Sequence, residues 1–325
     1  MPSYRINMSR RLLSFLIFGF LILIPFHSVF SQNLYQHEIG FQNDNDVYLM
    51  RLQDQYYTNG IRFYYKKAID SSEFSESFEN KFWSINIGHK IFNAWSGTVY
   101  SQSEVDRPLT GYLYIRGEMS WFTKNEHVFS LGTEIAVIGG SAFGKDLQTK
   151  FHRTFGFYDI KGWEYQLNSS IGMDLRASYS RLLVRNKLNN LDAFIKGDLS
   201  LGLNNTRLSV SPNFRWGRIN PLYESASLGG RIQSKQRKSV KEFYFFYRPQ
   251  INWILYDSTI QGGMLIKDKG LVTFDVRPFV FSQSFGVQLA TKRIGVNFNY
   301  VFNTKEVKSE ATAHQYGSLS MAYYF

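Results

Sequence analysis

Two stretches concentrate the side chains that could do chemistry. The first runs from Gly40 to Arg62 and carries Asn43-Asp44-Asn45-Asp46, then Gln55-Tyr56-Tyr57-Thr58-Asn59-Gly60. Asx side chains bond nearby backbone and favour turns, which is one reading of the cluster. Four of them beside a threonine also supply the hard oxygen ligands that Ca²⁺ takes. The second stretch opens at Ile138-Gly139-Gly140 and contains Gln148-x-x-x-His152. From Ala142 to Phe155 it reads as a short helix entered through glycines, on which Gln148 and His152, four apart, share a face. An imidazole titrates near neutrality and suits general-base work. The plainer alternative is a solvated or capping histidine on a loop helix.

Other chemistries are missing from the sequence. There is no Gly-x-Ser-x-Gly elbow, no His-Glu-x-x-His zinc helix and no phosphate-cradling Gly-Lys-Ser loop. His37, His89, His127 and His314 are scattered without ligand spacing, and His89 sits mid-strand with the lumen as one direction to point. Cysteine is absent, so neither thiol chemistry nor disulfide staples are available. Asp106-Arg107 reads as an ion pair pinning a loop, with an arginine facing a lipid phosphate as the alternative. Trp163 suits the aromatic belt at a membrane interface.

The elements that must position these residues begin with an export signal. Arg5, Arg10 and Arg11 precede an apolar run from Leu12 to Pro25, and small residues follow near Ser31. This predicts a cleaved secretory signal over 1–31 and one domain over 32–325, since the run is short of the ~20 apolar residues a spanning helix needs. Aromatics make up 17% of the chain, with 21 Tyr and 29 Phe, which suits interfacial girdles. Net charge is +11, of which three arginines leave with the signal. The remainder favours an anionic partner such as a phosphorylated lipid, and export makes nucleic acid the poorer one.

About twelve alternating segments predict a transmembrane antiparallel β-barrel, an all-β fold with a short helix in an external loop. They include Tyr35–Gln42, Tyr57–Lys67, Phe82–Phe92, Trp163–Leu175 and Glu242–Tyr256, and end at Tyr316–Phe325. With the first strand running outward, the Asx tip and the loops 93–110, 139–162 and 257–270 are external. Two connections at the opposite end, 68–81 and 217–241, are longer than periplasmic turns usually are. A terminal aromatic on an alternating strand resembles the end that the barrel-assembly machinery reads.

Taken in order, these pieces resemble the outer-membrane lipid A 3'-O-deacylases, the LpxR-like family. The matching residues are Asn43-Asp44, Tyr57-Thr58-x-Gly60, Asp106-Arg107, Val137-Ile138-Gly139, Gln148-x-x-x-His152-Arg153 and Trp163-x-x-Gln166. The resemblance implies a twelve-stranded barrel and a Ca²⁺-dependent esterase acting on lipid A, the lipid anchor of lipopolysaccharide, in the outer leaflet. His152 would be the general base that activates water. Asn43, Asp44, Thr58 and Gln148 would line the site, with Asp44 the first metal ligand and Asp46 and Asp159 beside it. Six residues after His152 the deacylases carry Glu, whereas this chain has Tyr158 followed by Asp159. Asp159 then substitutes with a shift of one residue, or the metal site is incomplete. The rivals are a passive barrel, porin or structural, and an outer-membrane phospholipase, which would need a serine nucleophile.

Overall fold

The computed structural model describes residues 35–49, 54–73, 75–233 and 241–325; the expected signal peptide lies outside them. Twelve strands form a closed antiparallel barrel in which each pairs with its sequence neighbours and the last closes on the first. They are β1 (His37–Asn45), β2 (Tyr57–Ala68), β3 (Phe78–Phe92), β4 (Thr110–Thr123), β5 (His127–Ile138) and β6 (Ser170–Arg185). The second half supplies β7 (Leu191–Gly202), β8 (Asn205–Arg218), β9 (Glu242–Asp257), β10 (Phe279–Ala290), β11 (Ile294–Asn303) and β12 (His314–Tyr324). Closure is made by β1 on β12, with Glu38 opposite Tyr324 and Asn45 opposite Gly317. A closed barrel leaves no unpaired strand edge, which the hydrocarbon interior requires. No described helix is long and apolar enough to cross a membrane.

The period of two sorts the side chains. In β9, Phe243, Phe245, Tyr247 and Ile251 are exposed on the outside while Glu242, Tyr244 and Phe246 are buried inside. Paired outward positions line up from strand to strand, Phe41–Phe63–Ile87–Ile115–Ile135–Met173, and form part of an apolar belt. The inside is polar: a cavity of about 400 Å³ is lined by Glu38, Gln42, Asp44, Arg62 and Arg116 among others.

Two strands depart most from the sequence reading. The expected strand 163–175 begins only at Ser170 and runs to Arg185. Trp163-Glu-Tyr alternates on paper but forms a 3₁₀ turn. At the far end the strand continues past Leu175 to Arg185, with a bulge between Leu182 and Val184 that breaks its alternation. β3 starts earlier than expected, at Phe78, which shortens the connection from β2.

The long β8–β9 connection is retained and folds back over the barrel end that holds His37 and Phe325. Its Leu222 and Ile232 are fully buried against Phe82, Phe122, Phe194 and Tyr324. Charged groups fix this stopper. Arg215 donates to both oxygens of Asp192 at 2.9 and 2.6 Å and to Ser225 Oγ at 2.7 Å, while Arg185 joins Asp192 to Glu126. Removing one partner of such a pair leaves a buried charge unmatched. Asp192→Ala is therefore expected to cost about 3–5 kcal/mol, measured by urea unfolding in detergent micelles. The opposite end, called the loop end below, carries the connections β1–β2, β3–β4, β5–β6, β7–β8, β9–β10 and β11–β12. Ala94, Val99, Val105, Leu109, Trp163 and Val272 pack there into a second apolar cap.

Candidate active site

The site lies on the loop end, between the barrel wall and a helix in the β5–β6 connection. That helix, α1 (Gly144–Phe155), buries Gly144, Gln148 and His152 on one face, so the shared face read from the spacing is the one turned inward. It packs on β3 and β4. The contact is close because both partners are glycine: a Cβ on Gly111 of β4 would lie 2.9 Å from the Gly144 nitrogen. Gly111 alternates outward, as does His89 of β3, whose Nε2 meets the Ala142 carbonyl at 2.6 Å. His89 therefore does not point into the lumen; it anchors the helix entry to the outer flank of the rim.

His152 is 5% exposed and held at both nitrogens. Nδ1 meets the Tyr158 carbonyl at 2.8 Å, and Nε2 lies 2.9 Å from Asp54 Oδ2. A carbonyl only accepts, so Nδ1 carries a proton. Asp54 also accepts from Thr58 Oγ1 at 2.7 Å and from the Tyr158 hydroxyl. Burial alone would raise the Asp54 carboxyl, but the bonds from His152 and Tyr158 outweigh it and hold it below the usual range. Burial likewise works against the charged imidazole, and the Asp54 partner overcomes it, so the His152 pKa is raised.

Asp46 completes the cluster with opposite electrostatics. It is 6% exposed, and its Oδ2 has only long contacts, 3.3 Å to the Gln55 nitrogen and 3.4 Å to Thr58 Oγ1. Burial and then the Asp54 charge push its carboxyl up to about 7. A desolvated acid that its neighbours satisfy poorly, next to a second carboxylate and a hydroxyl, suits a hard cation. Among the described residues no group of three or more His, Cys, Asp or Glu is arranged to hold a metal. The oxygen set here is two carboxylates and a hydroxyl.

Gln148 sits one helical turn before His152. Trp163 donates its Nε1–H to Gln148 Oε1 at 3.0 Å, and an indole can only donate, so the amide nitrogen is the end left over. That Nε2 is buried without a partner. Trp163 is 2% exposed and belongs to the loop cap, so its expected place in a membrane belt is corrected: its polar tip has a partner inside the protein.

The remaining sequence candidates go elsewhere. Asp44 faces the lumen, where Tyr57 and Gln42 donate to it at 2.7 and 2.8 Å. Asn43 alternates to the other side, accepting from the Tyr48 hydroxyl and donating to the Gly60 carbonyl. Asn45 accepts from the Val47 nitrogen, the turn chemistry that Asx residues favour. Asp159 is exposed, and only its carbonyl is engaged, by Thr98. It is Tyr158 that reaches the cluster. Asp106 and Arg107 hold loops through separate partners rather than each other: Asp106 accepts from Tyr56 at 2.7 Å, and Arg107 donates to Thr259 and stacks on Phe92. Asp54 escaped the sequence reading. The one signal for it was an acid four residues before Thr58, in a segment that resembles an ordinary turn.

Fold and site together define a barrel that crosses a membrane with its strands and carries a histidine–carboxylate cluster on one rim. The family model described as outer membrane protein LpxR matches residues 15–325, and the chain belongs to that family. Among solved structures it is similar to LpxR from Salmonella typhimurium, with 17% identity and a TM-score of 0.72 over 89% of this chain and 100% of that one. The beta domain of the Bordetella autotransporter BrkA follows with 9% identity and a TM-score of 0.48, over 90% of this chain and 100% of that one. No curated protein matches the sequence.

Proposed function

We propose that the protein is a Ca²⁺-dependent lipid A deacylase that hydrolyses the 3'-linked acyloxyacyl chain, its loop end facing the outer leaflet. The observation that carries this reading is His152, held between the Tyr158 carbonyl and Asp54 on a helix that packs against β3 and β4 at the rim. Family membership supplies the substrate class. The β8–β9 connection packed into one barrel end counts against a passive pore. Among the described residues no serine bonds to either nitrogen of His152, which counts against a serine-nucleophile phospholipase.

With Nδ1–H committed to Tyr158, Nε2 is the nitrogen left to act as base, and it offers a lone pair only once the proton it shares with Asp54 has left. A water beside Nε2 gives its proton to the ring as its oxygen attacks the ester carbonyl carbon. The ring returns that proton to the sugar oxygen as the C–O bond breaks, which releases the acyloxyacyl acid and leaves a hydroxyl on the sugar. Gln148, fixed by Trp163, offers Nε2–H to the oxygen on which charge develops. Asp46, Asp54 and Thr58 would hold Ca²⁺, which when bound supplies a Lewis acid for the ester carbonyl.

Mass spectrometry of lipid A incubated with refolded protein tests the reading. Loss of one acyloxyacyl unit with Ca²⁺ and none with chelator is expected. No mass change in either condition would move the assignment to a non-catalytic barrel, and release of fatty acid from glycerophospholipid alone would move it to a phospholipase. Asp46 must shed its proton to bind a cation. Because its folded pKa is raised to about 7, Ca²⁺ affinity should weaken by up to about tenfold per pH unit below that value and level off above it. Calorimetric titration across that range checks this, and a flat profile would remove Asp46 from the ligand set.

A further inference from the structure

Helix α1 has a second face that the hydrolytic reading does not use. Opposite its polar side, Phe143, Leu147, Phe151 and Phe155 recur every four residues and form an apolar ridge along one flank. Phe143 is 56% exposed and Leu147 47%. Phe151 joins Phe155 and Phe157 in a ring cluster, with centroids 4.8 and 5.9 Å away. Lys145, Asp146, Lys150 and Arg153 are exposed around the rest of the helix. Phe143 holds a left-handed backbone, φ +57, a conformation that a bulky side chain rarely adopts. Asn or Gly would fit that conformation better, so an exposed phenylalanine there calls for a contact outside the protein.

The position of the ridge identifies that contact. The entry to α1 is pinned to outward positions of the barrel wall, by His89 through the Ala142 carbonyl and by Gly111 against Gly144. His89 lies two residues beyond Ile87 on β3, and Gly111 four before Ile115 on β4, where Ile87 and Ile115 are paired, exposed members of the apolar belt. At about 3.3 Å per residue the helix entry is only ~7–13 Å above that belt. The ridge is thus continuous with the lipid-facing wall, and Lys150 beside it suits the phosphate groups of lipid heads.

We infer that α1 is an interfacial helix whose Phe143–Leu147 ridge is immersed in the lipid leaflet bordering the loop end, with Lys150 at headgroup level. This rests on the outer-membrane family and not on the deacylase reading. It would keep the inner face of α1, with His152, at a fixed depth relative to the lipid esters.

The chain has no cysteine, so single nitroxide labels can be placed without background. Labels at Leu147→Cys, Arg153→Cys and, as the belt reference, Ile115→Cys would be read in vesicles of phosphatidylethanolamine and phosphatidylglycerol. The Leu147 label should follow Ile115, accessible to dissolved oxygen and shielded from a nickel chelate, while the Arg153 label shows the reverse. A Leu147 label as open to nickel as Arg153 would overturn the inference. So would one shielded from both reagents, which would mean that the ridge is covered by protein, a second copy included. The measurement reads depth and not turnover, so its failure is separable from failure of the deacylase.

Discussion

Substituting His152→Ala is expected to reduce lipid A deacylation by about 10²–10⁴-fold while the barrel still folds. With Asp46 assigned to the cation, the imidazole is the group in the cluster that can both take a proton from water and return it to a leaving sugar oxygen near neutral pH. Asp54 is held too acidic by its hydrogen bonds to do this, and the Tyr158 hydroxyl is pushed up by burial and by the Asp54 charge, so it stays protonated. Removing the ring leaves Asp54 its bonds from Thr58 and Tyr158, so the loop keeps most of its support. The strands are untouched, and heat-modifiable migration on gels should be unchanged. Turnover within tenfold of the natural protein, in a variant that migrates as a folded barrel, would remove His152 from the reaction.

The barrel was legible because a membrane wall imposes a rule on every strand: apolar outward, polar inward, period two. All twelve strands answer to it, and the errors fall where the rule lapses. At β6 a bulge inserts a residue into the apolar run Leu182-Leu183-Val184 and cancels the period. Trp163 alternates with its neighbours but belongs to a 3₁₀ turn, since nothing in a five-residue pattern separates a strand from a turn that buries the same residues. The helix was legible for the same kind of reason. Its glycine entry and the four-residue spacing of Gln148 and His152 are local features, and the structure places both side chains on the inner face.

The carboxylates of the site were less legible, because which one reaches His152 depends on where a strand stops. Asp44 and Asp46 have the same parity, and alternation places both on the inner face. The pairing of β1 ends at Asn45, however, and the chain turns into a 3₁₀ segment at Asp46. Asp44 stays in the ladder and faces the lumen; Asp46 swings toward Thr58. Asp54 comes to the cluster by backbone geometry that no spacing reveals. It adopts φ +42, and Asn93, from the next loop, donates to its carbonyl at 3.2 Å.

That difference yields the second large effect, a contrast between two isosteric substitutions. Asp54→Asn is expected to lower deacylation by about 10²-fold or more, and Asp44→Asn to change it by less than about threefold. Asp54 faces His152 Nε2, accepts from two hydroxyls and belongs to the proposed Ca²⁺ set, so neutralising it changes the charge beside the base and removes a ligand together. An amide also presents an NH₂ that at least one of those donors would oppose. Asp44 only accepts from Tyr57 and Gln42 in the lumen, where an amide oxygen can take one bond and the polar cavity can accommodate the rest. Raising Ca²⁺ should rescue Asp54→Asn partly if the loss is a weakened ligand, and not at all if it is the lost partner of the imidazole. If Asp44→Asn is instead the crippled variant and Asp54→Asn retains near-normal turnover, the catalytic carboxylate is in the ladder and the rim cluster is a loop staple.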